Sequence, residues 1–282
     1  MSRAVRTVVI AGLGLIGGSL AKAFRACTDC RVTGIDRDPQ VLRAAAECGA
    51  VAGEAGAGDL KAADLLILCL YPRAEISFFR EHAPRLRPGC LVTDTCGVKA
   101  AVCPALSETA AAHGLVFIGG HPMAGREKGG FQNSGADLFS GASLILTPCG
   151  APQSAVDTLA GLAKKLGFAR TVETTPEEHD RRIAFTSQLP HALACAYVKS
   201  PQCPKHAGFS AGSYRDVSRV AAVGEALWAE LFLANRPALT AELDAMIGNL
   251  QALRDAVARG EEAKLRALLR EGRLVKERLG EA

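Results

Sequence analysis

A short apolar run over residues 8–11 leads straight into Gly12-Leu-Gly14-Leu-Ile-Gly17-Gly-Ser, and a helix-compatible stretch over 20–26 follows. Strand, glycine turn and helix in that order, at G-x-G-x-x-G spacing, constrain the fold more than any other feature of the chain. The first glycine permits the tight turn, the second lets a pyrophosphate approach the backbone, and the third lets the helix pack on the strand. The unpaired N–H groups and positive dipole end of the helix then face the phosphates. The next apolar run, 32–35, ends in Asp36, 19 positions after Gly17. An acid about 20 residues on accepts a hydrogen bond from the adenosine ribose. A carboxylate there repels a 2′-phosphate, so NAD is favoured over NADP, although the adjacent Arg37 is able to accept that phosphate. The expected cofactor contacts are therefore Gly12, Gly14, Leu15, Ile16, Gly17, Asp36 and Arg37.

The alternation of strand and helix continues. Asp38-Pro39 opens a helix through Cys48, Asp64 precedes a strand over 65–70 that Pro72 ends, and residues 91–93, 116–118, 142–146 and 170–173 read as further strands, with a helix over 153–166. Such repetition predicts a parallel sheet covered on both faces, with ligands beyond the carboxyl ends of its strands. That rule selects Tyr71, then Asp94-Thr95-Cys96-Gly97, then Gly119-Gly-His121. His121 precedes proline and is enclosed by glycines, which excludes a regular helix and reads as a loop. Imidazole titrates near neutrality, so a histidine at a strand end over the cofactor is a candidate general base; on its own segment a surface histidine beside a turn is the alternative. Cys96 falls near the same place, and with no visible activating partner it reads as a small packing residue. Lys99 reads as a solvated first-turn lysine.

From Thr175 the strand-like runs disappear. Thr175-Pro-Glu-Glu178 has a threonine for the N-cap, proline at the first helical position and glutamate three residues on. The boundary is placed there, giving a Rossmann-type domain over 1–174 and an all-α domain over 175–282. The first helix is expected to reach about Val198, kinked where Pro190 costs the hydrogen bond to the Thr186 carbonyl. His191 follows that kink, either as a satisfied core residue or as a ligand contact. Arg219, at the edge of an apolar stretch, calls for a structural carboxylate or an anionic ligand. Leu239, Leu243, Met246, Ile247, Leu250, Leu253 and Val257 share one helical face, first as a core stripe and second as a subunit interface.

Composition narrows the function classes. The 282 residues are 49% hydrophobic, and 33 basic against 29 acidic residues leave a net charge of +4 with no basic run to suggest nucleic acid. Glycines interrupt the one apolar stretch near the N-terminus, so neither a signal peptide nor a membrane span is read there, and a cytoplasmic protein is expected. The ten cysteines are dispersed, which favours reduced thiols. Cys27 and Cys30 form one C-x-x-C without the second ligand pair that zinc needs, and no metal is expected.

The segments "GLGLIGGSLAKA", "GIDRDP", "DTCGVK", "GGHPMAGREKGG", "HDRRIAFTSQLPHALA" and "YRDVSRVAA" together resemble the prephenate dehydrogenase (TyrA) family of tyrosine biosynthesis, which includes arogenate dehydrogenases. The resemblance covers nearly the whole chain, and the last four segments carry its specificity. It implies oxidation at the hydroxyl-bearing ring carbon, hydride transfer to NAD and loss of the ring carboxylate to leave an aromatic product. It also implies that His121 accepts the hydroxyl proton, that Arg219 binds a substrate carboxylate, that Ser187 and His191 contact substrate, and that Glu127 belongs to the active-site loop. Arg126 in that loop is a candidate for telling prephenate from arogenate, since a cation there disfavours an ammonium. Where many members have serine, this chain has Gly97, so a hydroxyl able to bond the catalytic histidine is absent and Thr95 or a water is expected in its stead. A monofunctional homodimer, joined through the helical domain, is the expected assembly. The competing readings are a β-hydroxyacid dehydrogenase, which often uses a lysine as catalyst though no lysine of the helical half is suitably set, and an NAD-binding regulatory protein without turnover, which would not need His121, His191 and Arg219 together.

Overall fold

A computed structural model describes residues 4–280. The strands are β1 (Thr7–Ala11), β2 (Arg31–Ile35), β3 (Leu65–Leu68), β4 (Leu91–Asp94), β5 (Val116–Pro122), β6 (Ser143–Thr147) and β7 (Arg170–Glu173). They form one sheet in the order β2-β1-β3-β4-β5-β6-β7. The order reverses direction between β1 and β3, which opens the crevice in which open α/β sheets bind ligands. The helices between the strands are α1 (Leu15–Cys27), α2 (Pro39–Glu47), α3 (Ala57–Ala62), α4 (Pro72–His82), α5 (Cys103–Ala112) and α6 (Gln153–Lys165).

Strand composition follows from burial on both faces. In β1, Val8 and Ile10 enter one apolar cluster with α1 and α6 residues such as Phe24 and Leu159, while Val9 and Ala11 enter another with Phe79 and Leu106 of α4 and α5. In β3, Leu65 and Ile67 face the first cluster and Leu66 and Leu68 the second. An alternating strand would leave one face wet; here each side chain is worth about 1.5–3 kcal/mol of burial whichever way it points.

Two expectations about the sheet need correction. The sheet is parallel except at one junction, where β5 and β6 run antiparallel. β3 stops at Leu68, and Pro72 does not end a strand but starts α4, its missing N–H falling where a helix has no partner to offer.

The chain after β7 is helical: α7 (Pro176–Ile183), a π-helical turn (Ala184–Gln188), α8 (Leu189–Tyr197), α9 (Gly212–Ser218), α10 (Glu225–Ala234), α11 (Arg236–Ala258) and α12 (Glu262–Arg278). Thr175 caps α7 by accepting from the Glu178 N–H at 3.2 Å, but the Glu178 carboxylate turns to Arg181 and Arg182, so only half of the capping box forms. The single kinked helix expected up to Val198 is instead interrupted by the π turn, which widens the helix just before Pro190 and places that proline in the first turn of α8. By compactness the chain divides in two, one unit up to Asn235 and another from Arg236 on. In the second, α11 and α12 pack on each other after a turn at Gly260, whose φ of +65° favours glycine. No helix among the described residues is long and apolar enough to cross a membrane.

Candidate active site

The glycine turn is built for close approach. Gly12 has φ +89°, and a Cβ on it would overlap the Cys69 carbonyl oxygen at the end of β3. A Cβ on Gly17 would overlap the Gly12 carbonyl oxygen. Gly14 has open space, with nothing within 4 Å of such a Cβ, and as N-cap of α1 it offers no side-chain cap. The first turn, with Leu15 and Ile16, therefore presents free N–H groups to that space. Asp36 holds the loop from the end of β2: one carboxylate oxygen accepts from Leu13 N at 2.7 Å and the other from Asp38 N at 2.9 Å. Arg37 and Tyr71 are exposed, Tyr71 as the N-cap of α4. The cradle, the free amides and the acid at the strand end fit a dinucleotide.

His121 is not in a loop. β5 leaves its parallel partner β4 after Ile118 and continues as Gly119, Gly120, His121 and Pro122 against β6. The two glycines are required by crowding rather than by a turn. A Cβ on Gly119 would overlap Thr147 Oγ1, and one on Gly120 would come 2.6 Å from the Asp94 carbonyl oxygen. The extended geometry that Pro122 imposes on His121 is a strand.

His121 Nδ1 lies 2.9 Å from Nε2 of His179, and His179 Nδ1 lies 2.7 Å from Oδ1 of Asp180. The Asp180 carboxylate is itself fixed by the backbone N–H groups of Lys99 (2.7 Å) and Ala100 (2.9 Å). These contacts assign the protons. A carboxylate only accepts, so His179 donates from Nδ1 and accepts at Nε2; His121 then donates from Nδ1, which leaves its Nε2 as a free acceptor. Burial, the neighbouring His179 and the Lys99 charge hold the His121 imidazole well below the usual histidine range, so it is neutral at pH 7. His179 is lowered too, burial outweighing its bond to Asp180.

Lys99 corrects another expectation. Its side chain is wholly buried and ion-paired with Asp94, not solvated. Burial opposes the ammonium, but Asp94 outweighs it and raises the lysine above its ordinary range. Asp94 also accepts from Gly120 N (3.0 Å) and Cys96 N (2.9 Å), so one carboxylate ties the end of β4 to β5. Glu75 of α4 is equally buried, and burial together with Asp94 pushes its carboxyl well above the usual carboxylate range. Ligand-type atoms of Glu75, Asp94 and Cys96 approach within 4.8 Å of one another, but the Lys99 ammonium already supplies the cation. Cys96 is buried with its thiol pushed up by burial, as a packing residue should be. Thr95 does not serve His121: its hydroxyl donates to the Leu68 carbonyl at 3.3 Å. Gly97 faces His121, a Cβ on it standing 3.9 Å from Nε2 and 3.5 Å from Leu231 of α10.

On the helical side, His191 bonds the Ser187 carbonyl through Nδ1 at 2.8 Å and stacks on Trp228 with ring centroids 3.8 Å apart. Ser187 is half-buried in the π turn and Arg219 is exposed, its charge acting on His191. Arg126 bonds the Asn133 carbonyl at 2.9 Å and pairs with Asp137 at 3.5 Å, while Glu127 is exposed beside it. Asn235 ties the helical segments, donating to Asp180 O and Gln188 Oε1 at 2.8 Å each. Sequence reading missed His179, Asp180, Trp228 and the buried Asp94–Lys99 pair. The first two were adjacent in "HDRRIAF" one turn after a well-marked helix start, the one available signal.

A doubly wound sheet with a glycine phosphate cradle, and a neutral histidine held at its crevice by a helical layer, define a two-part dehydrogenase that binds a nicotinamide dinucleotide, NAD or NADP. Residues 20–172 match the family model described as prephenate dehydrogenase, nucleotide-binding domain, and residues 175–271 the one described as prephenate dehydrogenase, dimerization domain. The chain belongs to the prephenate dehydrogenase family. It is 35% identical over 264 residues to a cyclohexadienyl dehydrogenase of Zymomonas mobilis, an alignment covering 89% of this chain and 88% of that one. Among solved structures it resembles prephenate dehydrogenase from A. aeolicus, solved in complex with hydroxyphenyl propionate and NAD+, at TM-score 0.84 and 26% identity, covering 99% and 100% of the two chains. It resembles arogenate dehydrogenase of Synechocystis at TM-score 0.80 and 26% identity, covering 97% and 99%.

Proposed function

We propose that the chain oxidises prephenate with NAD, taking the hydroxyl proton onto His121 while the ring carboxylate leaves as carbon dioxide and 4-hydroxyphenylpyruvate forms. The observation that carries this reading is the Asp180–His179–His121 chain of hydrogen bonds, which leaves Nε2 as the one free acceptor of a neutral imidazole. When bound, NAD would supply the hydride acceptor; Gly12, Gly14, Leu15, Ile16 and Gly17 would hold its pyrophosphate, and Asp36, fixed by the Leu13 and Asp38 N–H groups, would meet the ribose, its negative charge favouring NAD over NADP. Tyr71, Thr95, Cys96 and Gly97 border the nicotinamide end. As His121 takes the proton it becomes a cation, and the Asp180 carboxylate, relayed through His179, stabilises it. Arg219 holds a substrate carboxylate, and Ser187, His191 and Glu127 complete the pocket. The boundary at 174/175 separates cofactor handling from substrate handling in this reading, and a homodimer in the cytoplasm is the proposed form.

Arogenate is the second substrate reading, favoured by the likeness to the Synechocystis enzyme. The test is NADH formation by purified protein with NAD, offered prephenate and arogenate separately. Turnover of prephenate alone supports the proposal. Turnover of arogenate alone keeps the mechanism and replaces the substrate, and a change of preference in Arg126→Ala identifies the selector. Silence with both, despite NAD binding, overturns the reading.

A further inference from the structure

Two of the ten thiols meet beside the catalytic strand. Cys103, the first residue of α5, is buried, and its Sγ lies 3.5 Å from Thr147 Oγ1. Cys149 places its Sγ 3.9 Å from the same oxygen, so one hydroxyl brings the two thiols together. The topology makes this meeting: β6 runs antiparallel to β5, so its last residue, Thr147, returns to pair with Gly119 where α5 begins. Gly119 leaves the room, since a Cβ there would lie 3.0 Å from Cys103 Sγ. Cys149 is also the one non-glycine among the described residues with a positive φ, +52°, in a turn closed by Ala151 N–H on Pro148 O at 2.9 Å.

The pair is asymmetric. Cys149 is partly exposed, and its polar surroundings, Cys103 first, hold its thiol down to about 6 against the effect of burial. Cys103 is pushed far up, by Cys149 first and by burial second. By contrast, burial raises the Cys69 and Cys90 thiols to about 12. A stabilised thiolate with a second thiol gathered at the same hydroxyl is the arrangement that peroxide-reactive sites use.

We propose that Cys149 and Cys103 form a thiol modification site, in which Cys149 is oxidised by a peroxide and Cys103 resolves it to a disulfide. The Cys149 thiolate attacks one oxygen of hydrogen peroxide, the O–O bond breaks, and the departing hydroxide takes a proton to leave as water. Cys149 then carries a sulfenic acid. Cys103 gives up its proton as its sulfur attacks that of Cys149, the S–O bond breaks and a second water leaves. Two thiols are oxidised, one peroxide is reduced, and a dithiol reductant reverses the change.

The experiment uses the full chain, reduced and then freed of reductant. Iodoacetamide at pH 7 is expected to label Cys149 about threefold to fivefold faster than the exposed Cys27 and Cys48, the higher thiolate fraction outweighing the lower intrinsic nucleophilicity. Equimolar hydrogen peroxide, followed by alkylation and peptide mass spectrometry, is expected to yield a Cys103–Cys149 linked peptide while Cys27 and Cys48 stay alkylated. In Cys103→Ala, dimedone is expected to trap a sulfenic acid at Cys149. Equal labelling rates, first oxidation at Cys27 or Cys48, or no Cys103–Cys149 link in the wild-type protein would each overturn the proposal, and none of these depends on a variant folding.

Discussion

At the scale of single residues, the proposed chemistry rests on which nitrogen of His121 is free. Nδ1 is spent on His179, so in the proposed mechanism the base is Nε2, and the two imidazoles would act as one unit oriented by Asp180. His121→Asn removes the base, and kcat/KM is expected to fall by about 10²–10⁴, the usual worth of a positioned base, while NAD affinity by titration calorimetry stays unchanged. His179→Leu leaves the base but frees its ring; kcat should fall with KM nearly constant, and His179→Gln, whose carbonyl oxygen is able to accept from His121 Nδ1, should recover part of the loss. Equal kcat in the Leu and Gln variants would remove His179 from the mechanism. Gly97→Ser is a milder probe. The Cβ finds only ordinary contacts, 3.5 Å or more, so stability by urea titration should change by less than about 0.5 kcal/mol, although the new hydroxyl stands beside Nε2.

At the scale of elements, the glycines divide into those that make room for a ligand and those that make room for the protein. Gly14→Ala adds a methyl to open space and should cost less than about 1 kcal/mol of stability, yet it fills the phosphate cradle and should weaken NAD binding. Gly120→Ala drives a methyl to 2.6 Å from a backbone oxygen that cannot swing aside, so about 1–3 kcal/mol of destabilisation is expected in the same titration, with or without NAD. A reversal of that order would refute the assignment of the two sites. The same contrast explains what was legible in the sequence. The strand and helix around the Gly12–Gly17 turn read correctly because strand, turn and helix are consecutive, and so do α2, α6 and the cap of α7. Gly119-Gly120-His121 reads as a loop because its strand partner, β6, lies more than twenty residues away and pairs in the minority direction. Lys99 reads as solvated because its burial depends on Asp94 before it and on Asp180, 81 residues after it, which takes its N–H. Local pattern fixes local elements; the site is assembled by pairings that leave no local trace.

At the scale of the whole molecule, the apolar stripe of α11 and the acid response of the site bear on assembly and stability. Ile247, Leu250 and Val257 remain 50%, 48% and 64% exposed, and a helical face of that kind is costly to leave in water. A dimer is expected by light scattering at micromolar concentration, and Ile247→Glu with Leu250→Glu is expected to give a monomer; an unaltered dimer would place the interface elsewhere. The acid response follows from linkage. His121 and His179 have folded values below 6.5, so between those values and 6.5 the unfolded chain binds more protons than the folded one. Stability from both is fully present above pH 6.5 and is lost as the pH falls, at up to about 1.4 kcal/mol per pH unit for each histidine. Glu75 opposes this: its folded value is raised, so its contribution is present near pH 4.5 and is lost as the pH rises. Urea titrations at pH 7.5, 6.5 and 5.5 should therefore show declining stability, more steeply in Glu75→Gln, where the opposing group is gone. The same protonation of His121 should set the acid limb of kcat/KM, which is expected below pH 6.5. A limb above pH 6.5, or stability that does not decline in Glu75→Gln, would mean that the two imidazoles are not held neutral against the Lys99 ammonium.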